Sequence, residues 1–183
     1  GKHYSRGDLL ATANQVVHGL RAMGMERGDV VAMMLPNCVE FYYIYLAATQ
    51  AGFYMVPINW HLAGPEVAYI LEDCEAKVFV SDQRVAKAAT TAAEAAGFDT
   101  SKAFAVGDIP GFRAFNDLVD GQPDSLPENR SAGQIMNYTS GTTGKPKGVK
   151  RPLPDLGPED LYGMMAMFLM LFGIQPEDDN VHF

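Results

Sequence analysis

Apolar and polar positions divide the chain into segments of two kinds. Leu10, Ala13, Val17 and Leu20 recur at spacings that share one helical face, Ser5 and Asp8 form a capping-box pattern ahead of them, and Gly24 offers a stop. The run 30–35 is continuous and apolar, as expected of a strand buried on both faces, and Pro36 ends it. Asn37, with Glu40 three positions on, is placed to cap a second helix that packs through Phe41, Ile44, Tyr45 and Ala48 and closes at Gly52. Residues 54–58 predict a second strand. Pro65 opens a third helix that runs to about Asp73, and 77–80 forms the next strand. The alanine-rich stretch 83–96, closed by Gly97, predicts a further helix, and 103–106 a further strand.

Strands alternating with helices in this way predict an α/β fold: a mostly parallel sheet with right-handed crossovers and helices on its faces. No internal repeat interrupts the alternation. From 107 to 133 the pattern turns irregular around Pro110, Pro123 and Pro127, with one short helix expected near 112–119. Residues 134–138 then lead the chain into its most distinctive stretch.

That stretch, 138–149, reads Tyr-Thr-Ser-Gly-Thr-Thr-Gly-Lys-Pro-Lys-Gly-Val. Thr139, Ser140, Thr142 and Thr143 supply rotatable hydroxyl donors. Gly141 and Gly144 let successive backbone N–H groups face one anion, Lys145 and Lys147 offset phosphate charge, and Pro146 stiffens the backbone between them. A Walker A loop does not fit, because Thr139 stands where its first glycine belongs and Pro146 where its Ser or Thr belongs. Glycine, serine, threonine and proline also dominate ordinary surface turns. A turn or linker, however, has no need of an ordered run of hydroxyls with two spaced lysines between the apolar Ile135, Met136 and Val149. The stretch reads as a phosphate loop. The next two cations, Lys150 and Arg151, could face phosphates or solvent.

Composition narrows the function classes. With 183 residues and 48% hydrophobic content, the chain can bury the core of one globular domain. A net charge of -8 argues against a broad nucleic-acid surface, so no nucleic-acid partner is expected. Cys38 and Cys74 lack metal-ligand spacing and read as reduced thiols, and the first residues lack the apolar core of a secretory signal, which together lead us to expect a cytoplasmic setting. The Met-, Leu- and Phe-rich stretch 161–174 is shorter than the ~20 residues that cross a bilayer. It is expected to be a buried core helix in preference to a substrate-facing wall. His3, His18, His61 and His182 fit no catalytic pattern, and neither does Trp60.

The loop resembles the signature phosphate loop of the adenylate-forming acyl-CoA synthetases, relatives of luciferases and of peptide-synthetase adenylation domains. The segments Gly28-Asp29-Val30-Val31-Ala32, Leu35-Pro36-Asn37, Val56-Pro57-Ile58-Asn59 and Tyr69-Ile70-Leu71-Glu72-Asp73 are similar to that family's N-terminal segments and follow in the same order. The stretch from Pro57 to Trp60, and the Lys-Arg pair after the loop, look more like fatty acyl-CoA ligases than peptide-synthetase domains.

The resemblance implies that residues 1–183 are part of the large N-terminal AMP-binding domain, with the C-terminal domain absent. It also implies a two-step reaction that uses ATP, Mg2+ and coenzyme A to activate a small carboxylic acid, fatty or otherwise apolar, as an acyl-adenylate and then a thioester. Thr139, Ser140, Gly141, Thr142, Thr143, Gly144, Lys145 and Lys147 would bind the nucleotide phosphates, Thr139 would also lie near the metal, and Thr142 and Lys147 would be catalytic. This chain alone would be inactive. Peripheral membrane contact is open under the same resemblance. The competing expectation is a non-catalytic nucleotide-binding or interaction module that retains the loop.

Overall fold

In a computed structural model, residues 3–139 and 146–174 are described. Helices α1 (Arg6–Ala22), α2 (Val39–Ala51), α3 (Gly64–Asp73), α4 (Ala86–Ala95), α5 (Asn116–Val119) and α6 (Pro158–Leu171) alternate with strands. These strands are β1 (Val30–Met34), β2 (Tyr54–Pro57), β3 (Val78–Asp82), β4 (Ala103–Val106), β5 (Arg113–Ala114), β6 (Gln134–Ile135), β7 (Tyr138–Thr139) and β8 (Lys147–Gly148). The first six form one sheet in the order β5-β4-β3-β1-β2-β6, with every neighbouring pair parallel. β7 and β8 form a separate antiparallel pair.

The continuous apolar run of β1 follows from its central position. Val31 and Met33 point into one core with Val16, Val17 and Leu20 of α1 and Ile44, Ala47 and Ala48 of α2. Val30, Ala32 and Met34 point into a second core, with Val67, Ile70 and Leu71 of α3 and Ala89 and Ala92 of α4. The side-chain period of a strand is two, so a strand covered on both faces must be apolar at every position. All five residues of β1 are buried.

Local signals work as the pattern suggests at most ends. The Ser5 hydroxyl accepts from the Asp8 amide at 3.1 Å while the Asp8 carboxylate accepts from the Ser5 amide at 2.9 Å, which completes the capping box. Gly52 ends α2 in the left-handed region at φ 74, where a side chain would be strained. The irregular connection is carried by the polar face of α1. Asn14 donates to the Asp124 carbonyl at 2.8 Å, Gln15 to Gln122 at 3.0 Å, and the Arg21 guanidinium to Glu128 and Asn129 at 2.6 and 3.0 Å.

Four expectations need correction. Asn37 does not cap α2: Cys38 is the cap residue, in extended conformation, so Asn37 sits one position too early to reach the free amides. The stretch 83–96 is a 3-10 turn, Gln83–Val85, followed by α4, because the Asp82 side chain caps that turn by accepting from the Arg84 amide. Residues 112–119 begin as strand rather than helix. Arg113 and Ala114 add β5 to the sheet edge, the Phe115 amide continues the ladder to the Ala105 carbonyl at 2.8 Å, and only Asn116–Val119 is helical.

The fourth correction concerns α6. Only Pro158 is buried in it, while Met164, Met167 and Leu171 are exposed by 58%, 65% and 79%. Its first two turns are tied down by the Arg130–Glu159 ion pair and by the Thr49 hydroxyl at 2.9 Å from the Tyr162 hydroxyl. Both sheet faces already carry helices α1 to α4, and among the described residues the apolar side chains of α6 stay exposed. No helix among the described residues is long and apolar enough to cross a membrane.

Candidate phosphate-binding site

The site grows from the edge of the sheet. β6 runs beside β2, the Met136 amide makes one last bond to the Met55 carbonyl at 2.8 Å, and the chain then leaves the sheet. It enters β7, whose partner β8 returns antiparallel with Tyr138 opposite Gly148 and Thr139 opposite Lys147. The Val149 amide closes the pair on the Asn137 carbonyl at 3.0 Å. Thr139 and Lys147 are both exposed. The fold therefore places one hydroxyl and one ammonium stem across a single rung, at the two ends of the expected loop. Ser140, Gly141, Thr142, Thr143, Gly144 and Lys145 lie outside the described residues.

Gly148 is needed for a steric reason. A Cβ there would collide with the Met136 methyl and lie 2.8 and 2.9 Å from Cζ and Oη of Tyr138. The Tyr138 ring thus crosses over the partner strand, and its hydroxyl donates to Asp73 Oδ2 at 2.6 Å. From α3, the Tyr69 hydroxyl lies 3.2 Å from the Pro146 carbonyl and 3.4 Å from Asp73 Oδ1. Burial raises the Tyr138 phenol above its ordinary range, and the bond to the neighbouring Asp73 carboxylate adds to this. The Tyr69 phenol is raised by desolvation and by the same carboxylate. Both phenols therefore stay protonated and can donate.

The exit strand is fixed by β2 and β6. The Tyr54 hydroxyl donates to the Arg151 carbonyl at 2.5 Å, Gln134 donates to the Pro152 carbonyl at 3.0 Å, and Lys150 Nζ sits 4.9 Å from the centre of the Tyr54 ring. Lys150 is thus engaged by an aromatic face. The Arg151 side chain is exposed.

Asp73, Tyr69 and the role of Tyr138 escaped the sequence pattern. The spacing of Tyr69 and Asp73, four apart and on one face of α3, was the available signal. Of the histidines, His18 contacts the Ser125 carbonyl at 3.1 Å and His61 stacks on Trp60 with centroids 3.6 Å apart. His182 lies outside the described residues. Burial pushes the Cys38 thiol up to about 11 and the Cys74 thiol up to about 12, as expected of inert reduced cysteines.

Comparison with known proteins agrees with the fold. The family model described as AMP-binding enzyme matches residues 1–156. A long-chain-fatty-acid–CoA ligase, FadD13 of Mycobacterium tuberculosis, is 38% identical over 153 residues, covering 76% of this chain and 27% of that protein. Among solved structures, a putative long-chain-fatty-acid CoA ligase from Rhodopseudomonas palustris superposes with a TM-score of 0.76 at 26% identity, over 97% of this chain and 44% of the other. The anthranilate CoA ligase AuaEII, in complex with anthranoyl-AMP, gives a TM-score of 0.73 at 28% identity, over 87% of this chain and 30% of the other. The chain spans less than half the length of each.

Proposed function

Since the chain belongs to the AMP-binding enzyme family, we propose that it is the N-terminal part of an ATP-dependent acyl-CoA synthetase that activates a fatty acid in a cytoplasmic setting. The observation that carries this reading is the pairing of Thr139 with Lys147 across one rung of β7 and β8. Both side chains are exposed at the ends of a stretch rich in hydroxyls and glycine, and an ammonium beside a hydroxyl suits a phosphate oxygen better than any neutral ligand. The fatty substrate is supported by the ligase FadD13.

In this reading the carboxylate oxygen of the acid bonds to the α-phosphorus of ATP while the bond from that phosphorus to the bridging oxygen breaks. Pyrophosphate leaves with the electron pair. The thiol of coenzyme A then bonds through sulfur to the acyl carbon, its proton is lost to solvent, and AMP departs. Lys147, with the Thr142 and Thr143 hydroxyls, offsets charge gathering on the departing pyrophosphate, and such fixed donors act most strongly on charge that develops in the transition state. Ser140, Gly141, Gly144 and Lys145 would offer backbone and side-chain donors to the β- and γ-phosphates. The Thr139 hydroxyl would help hold a magnesium ion, which when bound would neutralise phosphate charge.

The test is ATP-dependent pyrophosphate release by the full-length protein across a panel of carboxylic acids. Release with fatty acids, and an acyl-adenylate seen by mass spectrometry, is the expected result. Absence of release with every acid, from a folded protein, would overturn the assignment. The 183-residue chain alone is expected to show no turnover, because in-line positioning of the carboxylate can be worth about 7–11 kcal/mol and no group on this chain is assigned to it.

A further inference from the structure

We propose that Asp73, at the end of α3, is a positioning residue that sets both ends of the phosphate loop at once; this rests on the phosphate-loop reading of residues 139–147. The entering strand is held through Tyr138, whose hydroxyl donates to Asp73 Oδ2 at 2.6 Å. The returning strand is held through Tyr69, whose hydroxyl reaches both Asp73 Oδ1 at 3.4 Å and the Pro146 carbonyl at 3.2 Å. One carboxylate, carried on a helix whose apolar face is buried in the sheet, thus takes a separate phenol on each oxygen. Gly148 completes the arrangement, because any side chain there would push the Tyr138 ring off the partner strand.

The consequence is a fixed spacing between Thr139 and Lys147. A two-residue antiparallel pair is marginal by itself, so the rung that opposes these two residues needs support from outside the pair. The Tyr138–Asp73 bond provides it, with the Tyr69 hydroxyl, whose one proton is shared between Asp73 Oδ1 and the Pro146 carbonyl, and the closing bond from Val149. Asp73 and Tyr69 act on nucleotide affinity only through this rung and do not touch the phosphates.

The test uses the full-length protein and two independent readouts. The first is amide hydrogen exchange of Val149, which needs no activity. Tyr138→Phe should speed it by about tenfold, the loss expected for one hydrogen bond to a charged acceptor, and Asp73→Ala by at least as much, because it removes the Tyr69 contact as well. The double variant should be no faster than Asp73→Ala, because that change already removes the Tyr138 bond. Asp73→Asn, which keeps an acceptor oxygen, should fall between wild type and Asp73→Ala. The second readout is kinetic: KM for MgATP should rise by about tenfold in Asp73→Ala while KM for the acid stays within about twofold. Unchanged Val149 exchange in all variants would overturn the proposal. So would faster exchange accompanied by an equal shift of both KM values and a lowered melting temperature, which marks a general loss of structure. Should the wild-type protein form no acyl-adenylate, the exchange result alone decides the proposal, and the assigned function fails separately.

Discussion

Replacing Gly148 by alanine adds one methyl group at the tightest point of the β7–β8 pair. The new Cβ would meet the Met136 terminal methyl and lie 2.8 and 2.9 Å from two Tyr138 ring atoms. The methionine end can swing away at a cost of about 0.5–1.5 kcal/mol in rotamer strain. The tyrosine cannot move as freely, because its hydroxyl is held by Asp73, and losing that bond costs about 1.5 kcal/mol at an exposed carboxylate. The pair should therefore open more easily by about 2 kcal/mol, which is about a thirtyfold rise in the open population. Native-state proteolysis reads this directly, since cleavage tracks the open population when opening and closing are fast. Trypsin cleavage after Lys147 should accelerate about thirtyfold relative to wild type, normalised to the urea-unfolded chains, while the midpoint of global urea unfolding moves little. Cleavage within about twofold of wild type would refute the reasoning, because it would mean the ring and the strand do not compete for that space.

Gly133→Ala should be the more damaging change globally. Its Cβ would meet only backbone, colliding with the Ala48 carbonyl and lying 2.5 Å from the Phe53 oxygen, so a loss of about 3 kcal/mol should appear in the urea midpoint. Lys147→Ala in the full-length enzyme should slow adenylation by an amount worth about 2–4 kcal/mol in the transition state, with an unchanged melting temperature; an unchanged rate would remove its assigned role. The Arg84 guanidinium donates to both oxygens of buried Asp82 at 2.7 and 2.8 Å and holds its carboxyl below the ordinary value of 3.8. A lowered folded-state pKa gives stability that is present above the unfolded value and lost as pH falls through the folded one. Stability followed by urea unfolding should therefore decline below about pH 4, and Asp82→Asn should remove that part of the decline.

Where the sequence was legible, the signal was local or periodic. The unbroken apolar run of β1 told of two covered faces, and the Ser5–Asp8 pair marked a helix start correctly. Asn37 misled because the cap position is defined by backbone dihedrals, and the chain turns helical one residue later than composition suggests. Residues 112–119 misled because Phe112 and Phe115 suit a helix face equally well. Here the Phe112 ring packs edge-on to Phe79 at 5.8 Å, and a sheet edge was open to receive Arg113 and Ala114. The hydrophobicity of α6 states what its side chains avoid, not whether a surface is there to receive them. At the proposed site, the loop is read from contiguous residue types, of which Thr139 and Lys147 are described and pair across one rung. The carboxylate that holds it was not legible, since Asp73 and Tyr138 are 65 residues apart and leave no joint pattern in the chain.

That separation also bears on how the protein is made. β1, α2 and β2 are adjacent in sequence and can assemble as soon as they emerge during synthesis, whereas β6 must find the far side of β2 after β3, β4 and β5 have been placed on the other side of β1. Contacts that close long loops form slowly, and the Tyr54 bond to the Arg151 carbonyl spans 97 residues. The β6 edge of the sheet, which leads into β7, is thus completed after the strands on the other side of β1. Until then the open edge of β2 is the surface on which a stalled or overcrowded chain would misassemble, and slowing translation beyond Gly133 should lower the yield of properly folded protein.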